Sequence, residues 1–334
     1  MNPASGEDDS ATNTYRIATF NLQNLEKPRK PSPAHFDEDA WRLAVQAYDR
    51  HLEAVRGTLT RIRADVLAVQ EVMDEGDFES LIGGTEYAQF ARSPIDRSPG
   101  IERQQVILSR YDIRQVELHR QETRVSWVHA NKGVAQAVHW NRPIVEVTVD
   151  LPSIGPTAFL ALHLKSKRPS DVQHLGRGHG GTWPSLAAHA EGMVLSSLKR
   201  VGQALELRRR VDELFRTHHS ARIVVMGDFN DSLDSVPLDV VRGNYVGARN
   251  PELWDQELYP VELSLPREKQ YTLIHSGTPV MIDHILISRA LLEYFESATI
   301  LNETIRDHLA IHPHGAYFPD SDHAPVVMEL TARA

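Results

Sequence analysis

The sequence predicts an α/β protein with a two-layer β core and helices on its flanks. Three observations predict it. About ten short apolar strands are separated by charged or Gly/Pro-containing segments. Two long segments carry apolar residues at steps of three and four. Polar side chains recur at the ends of the apolar strands, where a rigid sheet can hold them at its rim.

Tyr15 to Phe20 alternates and is β-branched and aromatic enough for a strand. A Pro/Lys/Arg loop follows, from Lys27 to Pro33. From Asp37 the positions Trp41, Val45, Tyr48, Leu52, Val55, Leu59 and Ile62 form one stripe of a long helix. Val66 to Val69 is a short, fully apolar strand that runs into Gln70-Glu71. The middle is strand-rich, with candidates at residues 105–109, 134–139, 144–149 and 158–164. Residues 169–184 hold Gly, Pro and His and read as a long loop. Leu186 to Phe215 reads as a helix with Leu198, Val201, Leu205 and Leu214-Phe215 on one face. Arg222 to Met226 is a buried strand ending at Gly227-Asp228, and residues 280–288 and 324–330 are the last two strands.

Composition limits the chemistry. The chain has 334 residues, with 36 basic against 45 acidic side chains and a net charge of −9. That excludes a polycationic nucleic-acid binder. It leaves phosphate chemistry open, because a bound divalent cation supplies positive charge locally. With no Cys, disulfide scaffolds, zinc-thiolate sites, iron–sulfur clusters and Cys nucleophiles are excluded. No apolar run approaches the ~18 residues of a membrane helix. Met1 to Thr14 reads as a disordered lead-in without the basic start and apolar region of a signal peptide. The expectation is one domain over residues 15–334, with a loop excursion near 168–184. The protein is expected to be soluble, cytoplasmic or secreted after removal of a signal, with no obligate protein partner.

The strand-end residues carry the candidate chemistry. Asn21 follows the first strand, Glu71 the second, and His163 lies in a third. Met226-Gly227-Asp228-Phe229-Asn230 places an acid and an amide on one side of an extended turn; an Asx-turn has the same spacing. Asp283 interrupts an apolar strand, and burying its charge alone costs several kcal/mol, so a partner is expected. His323 in Ser321-Asp322-His323 is the candidate, either as an oriented imidazole or as a structural pair. Arg142 precedes a strand, and Lys165, Lys167 and Arg168 form a basic tail behind His163. Carboxylate, amide and imidazole groups of this kind suit a hard cation and a phosphate.

Taken in order, TFNLQNL, VLAVQEV, LHLKS, GDFND, IDHILIS and SDHAPV resemble the signature of the endonuclease/exonuclease/phosphatase superfamily, with its DNase I-like fold. The resemblance spans roughly residues 15–331. It implies a four-layer α/β/β/α sandwich, two mixed β-sheets packed face to face with helices outside. It implies hydrolysis of phosphoester bonds with Mg²⁺ or Mn²⁺, Ca²⁺ being a further option. By position, Glu71 looks like the principal metal ligand, with Asn21 near metal and phosphate and Asp322 a second contributor. Asp228 resembles the carboxylate that positions the attacking water, and Asn230 the amide that stabilises the phosphoryl group. His323, held by Asp283, looks like the imidazole bonded to the scissile phosphate, and His163 takes the place of a His or Tyr assisting there. Several family nucleases carry an acid two residues after the first-strand Asn; here that position is Gln23, which puts a second metal in question.

The resemblance implies a phosphodiesterase, foremost a nuclease with nucleic acid as substrate. Arg142, Lys165, Lys167 and Arg168 are then the substrate-binding candidates, joined by His174, Arg177 and His179 of the loop. The same machinery serves an inositol phosphate, a sphingomyelin-type lipid or a small phosphoester. A lipid substrate calls for an exposed apolar loop, and Trp183, Trp254 and Tyr259 form no such wedge in the sequence. A non-catalytic binding module is the third class; the intact set of site residues argues against it.

Overall fold

The first strand shows how the layers arise. In β1 (Asn13–Leu25) alternate side chains enter two different cores: Tyr15 and Ile17 are buried between two sheets, whereas Ala18, Phe20 and Leu22 face a helical layer. β10 (Ile223–Asp228) does the same, with Val224 and Met226 between the sheets and Ile223 and Val225 under helices. A strand covered on both faces reads as an unbroken apolar run, which is how these two look in the sequence.

The computed structural model describes residues 13–30, 37–98, 101, 103–120, 125–128, 135–139, 142–171, 182–308 and 319–332. One sheet has the order β15 (Phe295–Ile300), β16 (Val326–Ala332), β1, β2 (Val66–Val72), β4 (Gln104–Ser109), β3 (Ala91–Arg92). The other runs β11 (Leu258–Pro260), β14 (Asp283–Ser288), β10, β9 (Gly155–His163), β8 (Ile144–Leu151), β5 (Ile113–His119). Both are mixed, each with a parallel pair at its centre: β1 with β2, and β9 with β10. Two hairpins stand apart, β6 (Val125–Val128) with β7 (Ala135–Val138), and β12 (Leu273–His275) with β13 (Thr278–Val280). α1 (Glu38–Ile62) and α2 (Glu75–Ile82) cover the first sheet, and α3 (Leu186–Thr217) and α4 (Val236–Arg242) the second. The result is the four-layer α/β sandwich that the resemblance implies.

α1 starts where Asp37 caps it, accepting from the amides of Asp39 and Ala40. Its stripe is as read: Tyr48, Val55, Leu59 and Ile62 are buried, and His51 joins them. α3 keeps Leu214 and Phe215 of its predicted face and departs from the rest of it. Its buried apolar face is Ala204, Leu207, Val211 and Phe215, and Leu205 is 37% exposed. Polar anchors set that rotation: Ser196 donates to the Arg168 carbonyl, Arg200 to the Lys165 carbonyl, and Gln203 accepts from the Lys165 amide. The helix is therefore clasped to the segment leaving β9, with Leu205 exposed and Leu198 and Val201 half-buried.

Other boundaries shift. β1 begins at Asn13, so the last two residues assigned to the lead-in pair with Ala332 and Thr331; residues 1–12 lie outside the described residues, as do 172–181 of the loop excursion with His174, Arg177 and His179. The strand read from 280 begins at Asp283, because Val280 belongs to a hairpin. β5 and β15 were not foreseen. Both are sheet edges with one face toward solvent, and their sequences are correspondingly polar. Among the described residues no helix is long and apolar enough to cross a membrane.

One ion network ties α3 to the second sheet. Glu146 of β8 is buried and receives Arg210 Nε (2.6 Å), Arg210 Nη2 (2.8 Å) and His119 Nε2 (2.7 Å). Burial alone raises its pKa, but Arg210 and His119 outweigh that and bring the carboxyl from 4.5 to about 2. A carboxylate held below its unfolded value contributes stability above that value and loses it as pH falls through the folded one. Glu146→Gln is therefore expected to lower the unfolding free energy at pH 7 by about 3 kcal/mol. The gap from the parent should close between pH 4.5 and about 2 in denaturant titrations. A gap that persists at pH 2 would contradict the assignment.

Candidate active site

The register of the central strands builds the floor of the site. Asp228 sits beside His163 on β9 and beside Asp283 on β14. Gly227 makes this approach feasible, with φ +146° and no room for a side chain: a Cβ there would lie 2.1 Å from the Leu162 carbonyl oxygen. From the facing sheet, Asn21, which lies within β1 and not after it, at the point where its register with β2 shifts, donates through Nδ2 to Asp228 Oδ2 (3.0 Å). The same carboxylate oxygen lies 3.3 Å from His163 Nε2 and accepts from Asn230 Nδ2 (3.1 Å), while Oδ1 accepts from the Asn230 amide (2.8 Å). Asp228 is thus saturated with donors. Burial works against its charge, but His163, and beyond it His323, hold its pKa at about 2.

Glu71 is aimed by a break in its strand. Gln70 pairs with Gln105 and Val72 with Gln104, so Glu71 bulges out with φ +63°. Its Oε2 accepts from the Asn24 amide (2.7 Å). Its Oε1 points to the site, 3.7 Å from His163 Nε2 and 3.9 Å from Arg103 Nε. Arg103 in turn donates twice to Asn24 Oδ1 (3.0 and 2.8 Å). Gln23, Asn24, Glu71 and Asn230 are all non-glycine residues with positive φ. Half of the eight such residues described belong to this rim, where surrounding structure imposes a backbone that costs of order 1 kcal/mol each.

The third wall is the segment entering β16. Ser321 Oγ donates to the Asn21 carbonyl (2.8 Å) and the Asp322 amide to Gln23 Oε1 (3.1 Å). Gln23 thus stitches this segment to β1. His323 Nδ1 bonds Asp283 Oδ2 (2.8 Å), and its Nε2 lies 3.8 Å from Asp322 Oδ1. Burial disfavours a charged His323, but Asp283, Asp322 and Asp228 raise its pKa well above the usual histidine value. It is an imidazolium with Nε2 available for an anionic oxygen. His163 goes the other way: burial and Arg142 lower its pKa, against the pull of Asp228 and Glu71. Asp228, Asp283 and His323 place ligand atoms within 4.8 Å of one another.

The structure brings Asn21, Glu71, His163, Asp228, Asn230, Asp283, Asp322 and His323 together. Asn230 is folded back: its Nδ2 is shared between Asp228 and the Leu164 carbonyl (3.0 Å), so here it braces Asp228. The basic residues lie at the side. Arg142 Nη1 donates to the Leu164 carbonyl (2.9 Å). Lys165 Nζ donates to Ser166 O and Oγ (both 3.1 Å) and to the Arg168 carbonyl (2.9 Å); burial, with Arg142, Lys199 and Arg200 nearby, lowers its pKa to about 8. Lys167 pairs with Asp231 (2.8 Å), and Arg168 is exposed. Sequence reasoning missed Asn24, Arg103, Arg200, Asp231 and the buried pair of His284 and Glu262. Asn24, Asp231 and His284 lie within the TFNLQNL, GDFND and IDHILIS motifs without a role assigned to them; nothing in the sequence marks Arg103, Arg200 or Glu262.

A family model described as Endonuclease/Exonuclease/phosphatase family matches residues 180–306. No curated protein sequence matches the chain. Among solved structures, truncated TDP2 of Caenorhabditis elegans aligns at 13% identity over 95% of this chain and 97% of its own, with a TM-score of 0.56. Sphingomyelinase C from Streptomyces griseocarneus aligns at 13% over 95% and 99%, TM-score 0.56. The 3′ phosphatase NExo from Neisseria, solved bound to a product DNA hairpin, aligns at 16% over 95% and 99%, TM-score 0.51. The family model and the solved structures agree with the resemblance read from the motifs, and the chain shares the four-layer α/β fold of those structures.

Proposed function

We propose that this protein hydrolyses phosphodiester bonds with the help of a divalent cation, and that its substrate is nucleic acid. One observation carries the reading: an ionised Asp228, locked by four donor contacts, stands with the Asp283–His323 pair and Glu71 where the two sheets meet. The donor set suits Mg²⁺ or Mn²⁺. Glu71 Oε1 and Asp322 Oδ1 accept no hydrogen bond among the described residues, and with the Asn21 amide they are hard oxygens of the kind such cations take. Glu71, Asn21 and Asp322 would hold the ion, which when bound neutralises charge on the phosphate and leaving oxygen.

The protein's own groups do the rest. Asp228 supplies a fixed negative charge, directed by Asn21, His163 and Asn230, that orients the attacking water. His323 presents its Nε2 proton to a phosphoryl oxygen, held in place by Asp283. Cationic side chains of Arg103, beside Glu71, and Arg142, near His163, flank the site in a chain of net charge −9, which favours a backbone-reading, salt-sensitive contact with a polyanion.

A lipid phosphodiester is the second reading. Leu186, Met193 and Val194 of α3 are 89%, 49% and 44% exposed, an apolar strip that a lipid surface could cover. The deciding experiment incubates the protein with plasmid, single-stranded DNA, RNA, inositol phosphates and sphingomyelin, each with Mg²⁺ and with chelator. Cleavage of nucleic acid in Mg²⁺ alone is the expected result; turnover of only lipid or inositol ester would retire the nuclease reading. In the same assay Glu71→Gln is expected to lose about 10³-fold in turnover and to bind Mg²⁺ more weakly by calorimetry. Parent-like rates in saturating Mg²⁺ would overturn the metal assignment.

A further inference from the structure

Beneath the Asp228–Asn230 turn lies an ionisable pair that the proposed chemistry does not use. Glu262 and His284 are both fully buried. His284 Nδ1 makes a short hydrogen bond to Glu262 Oε1, and Nε2 faces the Asp231 carbonyl oxygen at 2.9 Å. The Asp231 carbonyl can only accept, so Nε2 carries a proton and donates it there, while Nδ1 and Glu262 share the proton of the short bond. Glu262 Oε2 has no hydrogen-bond partner among the described residues, so His284 is the hydrogen-bonding partner this carboxylate serves.

The pair is coupled to the turn at several points. The Phe229 ring stands edge-on to the His284 ring, with centroids 5.2 Å apart and an interplanar angle of 85°. The Phe229 amide donates to the Ile282 carbonyl (2.8 Å). Asp231 is held from the other side by Arg200 Nε (2.9 Å) and Lys167 Nζ (2.8 Å). Asn230 is the residue between these fastenings, and it is the one with φ +54°. A left-handed asparagine persists when its neighbours leave no alternative. Its amide and side chain both end on Asp228.

We propose that Glu262 and His284 form a positioning pair for the hydrolysis inferred above: by drawing the Asp231 carbonyl inward they fix Asn230 in the turn that braces Asp228. The inference rests on the hydrolase reading for its rate consequences and on geometry for its structural ones. Burying two ionisable groups to hold one backbone carbonyl gives no advantage to stability over an apolar pair of equal volume. It does give a donor that cannot rotate away.

The test is Glu262→Gln, which keeps the shape and removes the acid that shares the second ring proton. With bis(4-nitrophenyl) phosphate and Mg²⁺, kcat is expected to fall about 10- to 100-fold with KM within about twofold. In an Asn230→Ala background the same change should cost less than about twofold, because the residue it acts through is gone. Amide hydrogen exchange at residues 229–232 should quicken while β1 and β2 stay protected. An equal loss in both backgrounds, or unchanged exchange in the turn, overturns the proposal. If the parent cleaves no phosphodiester, the hydrolase reading fails, and the exchange measurement still decides whether the pair holds the turn. If Glu262→Gln does not fold, His284→Asn yields the same two readouts.

Discussion

Asp228→Asn is expected to reduce phosphodiester turnover in Mg²⁺ by about 10³-fold or more with little change in KM. The reason is on both oxygens. Oδ2 faces Asn21 Nδ2, Asn230 Nδ2 and His163 Nε2, and Oδ1 faces the Asn230 amide. An amide nitrogen in either position meets a donor, so the substitution leaves buried groups unpaired as well as removing the charge. The imidazolium of His323 also loses one of the carboxylates that sustain it. The measurement is steady-state kinetics beside a thermal melt. A variant within tenfold of the parent would mean that Asp228 is scaffolding.

The second large effect is structural. Gly227→Ala should cost roughly 4 kcal/mol or more, enough to leave the protein insoluble or melting far below the parent. The added Cβ would sit 2.1 Å from the Leu162 oxygen and 3.0 Å from its carbonyl carbon, both backbone atoms, with φ at +146° besides. Relief requires β9 and β10 to part at the register position next to His163 and Asp228. A melting temperature within a few degrees of the parent would show that the two strands can separate there at little cost.

Much of this was legible in the sequence because central strands declare themselves. Val66–Val69 and Ile223–Met226 are apolar on both faces, and the polar residue that ends each is conspicuous for that reason. The edges β5 and β15 were hidden because their half-solvated residues resemble loop. Part of the face of α3 was misread because polar bonds from Ser196, Arg200 and Gln203 outvoted its leucines. In the site, Asp283 announced its need for a partner and has His323 at 2.8 Å. The bulge at Glu71 and the support from Arg103 are not written locally, since they arise only when β2 meets β4 and the two sheets close.

That closure has a consequence for how the rate is set. Asn21 and Glu71 are mounted on one sheet, and His163, Asp228 and Asp283 on the other, so the 3.0 Å from Asn21 to Asp228 and the 3.7 Å from Glu71 to His163 span the seam. Interdigitated residues such as Ala68, Ala161, Met226 and Ile285 serve as the shim between the two plates. Enlarging or shrinking one of them would slide the halves of the reaction centre past each other, changing catalysis from a place no reactant ever visits.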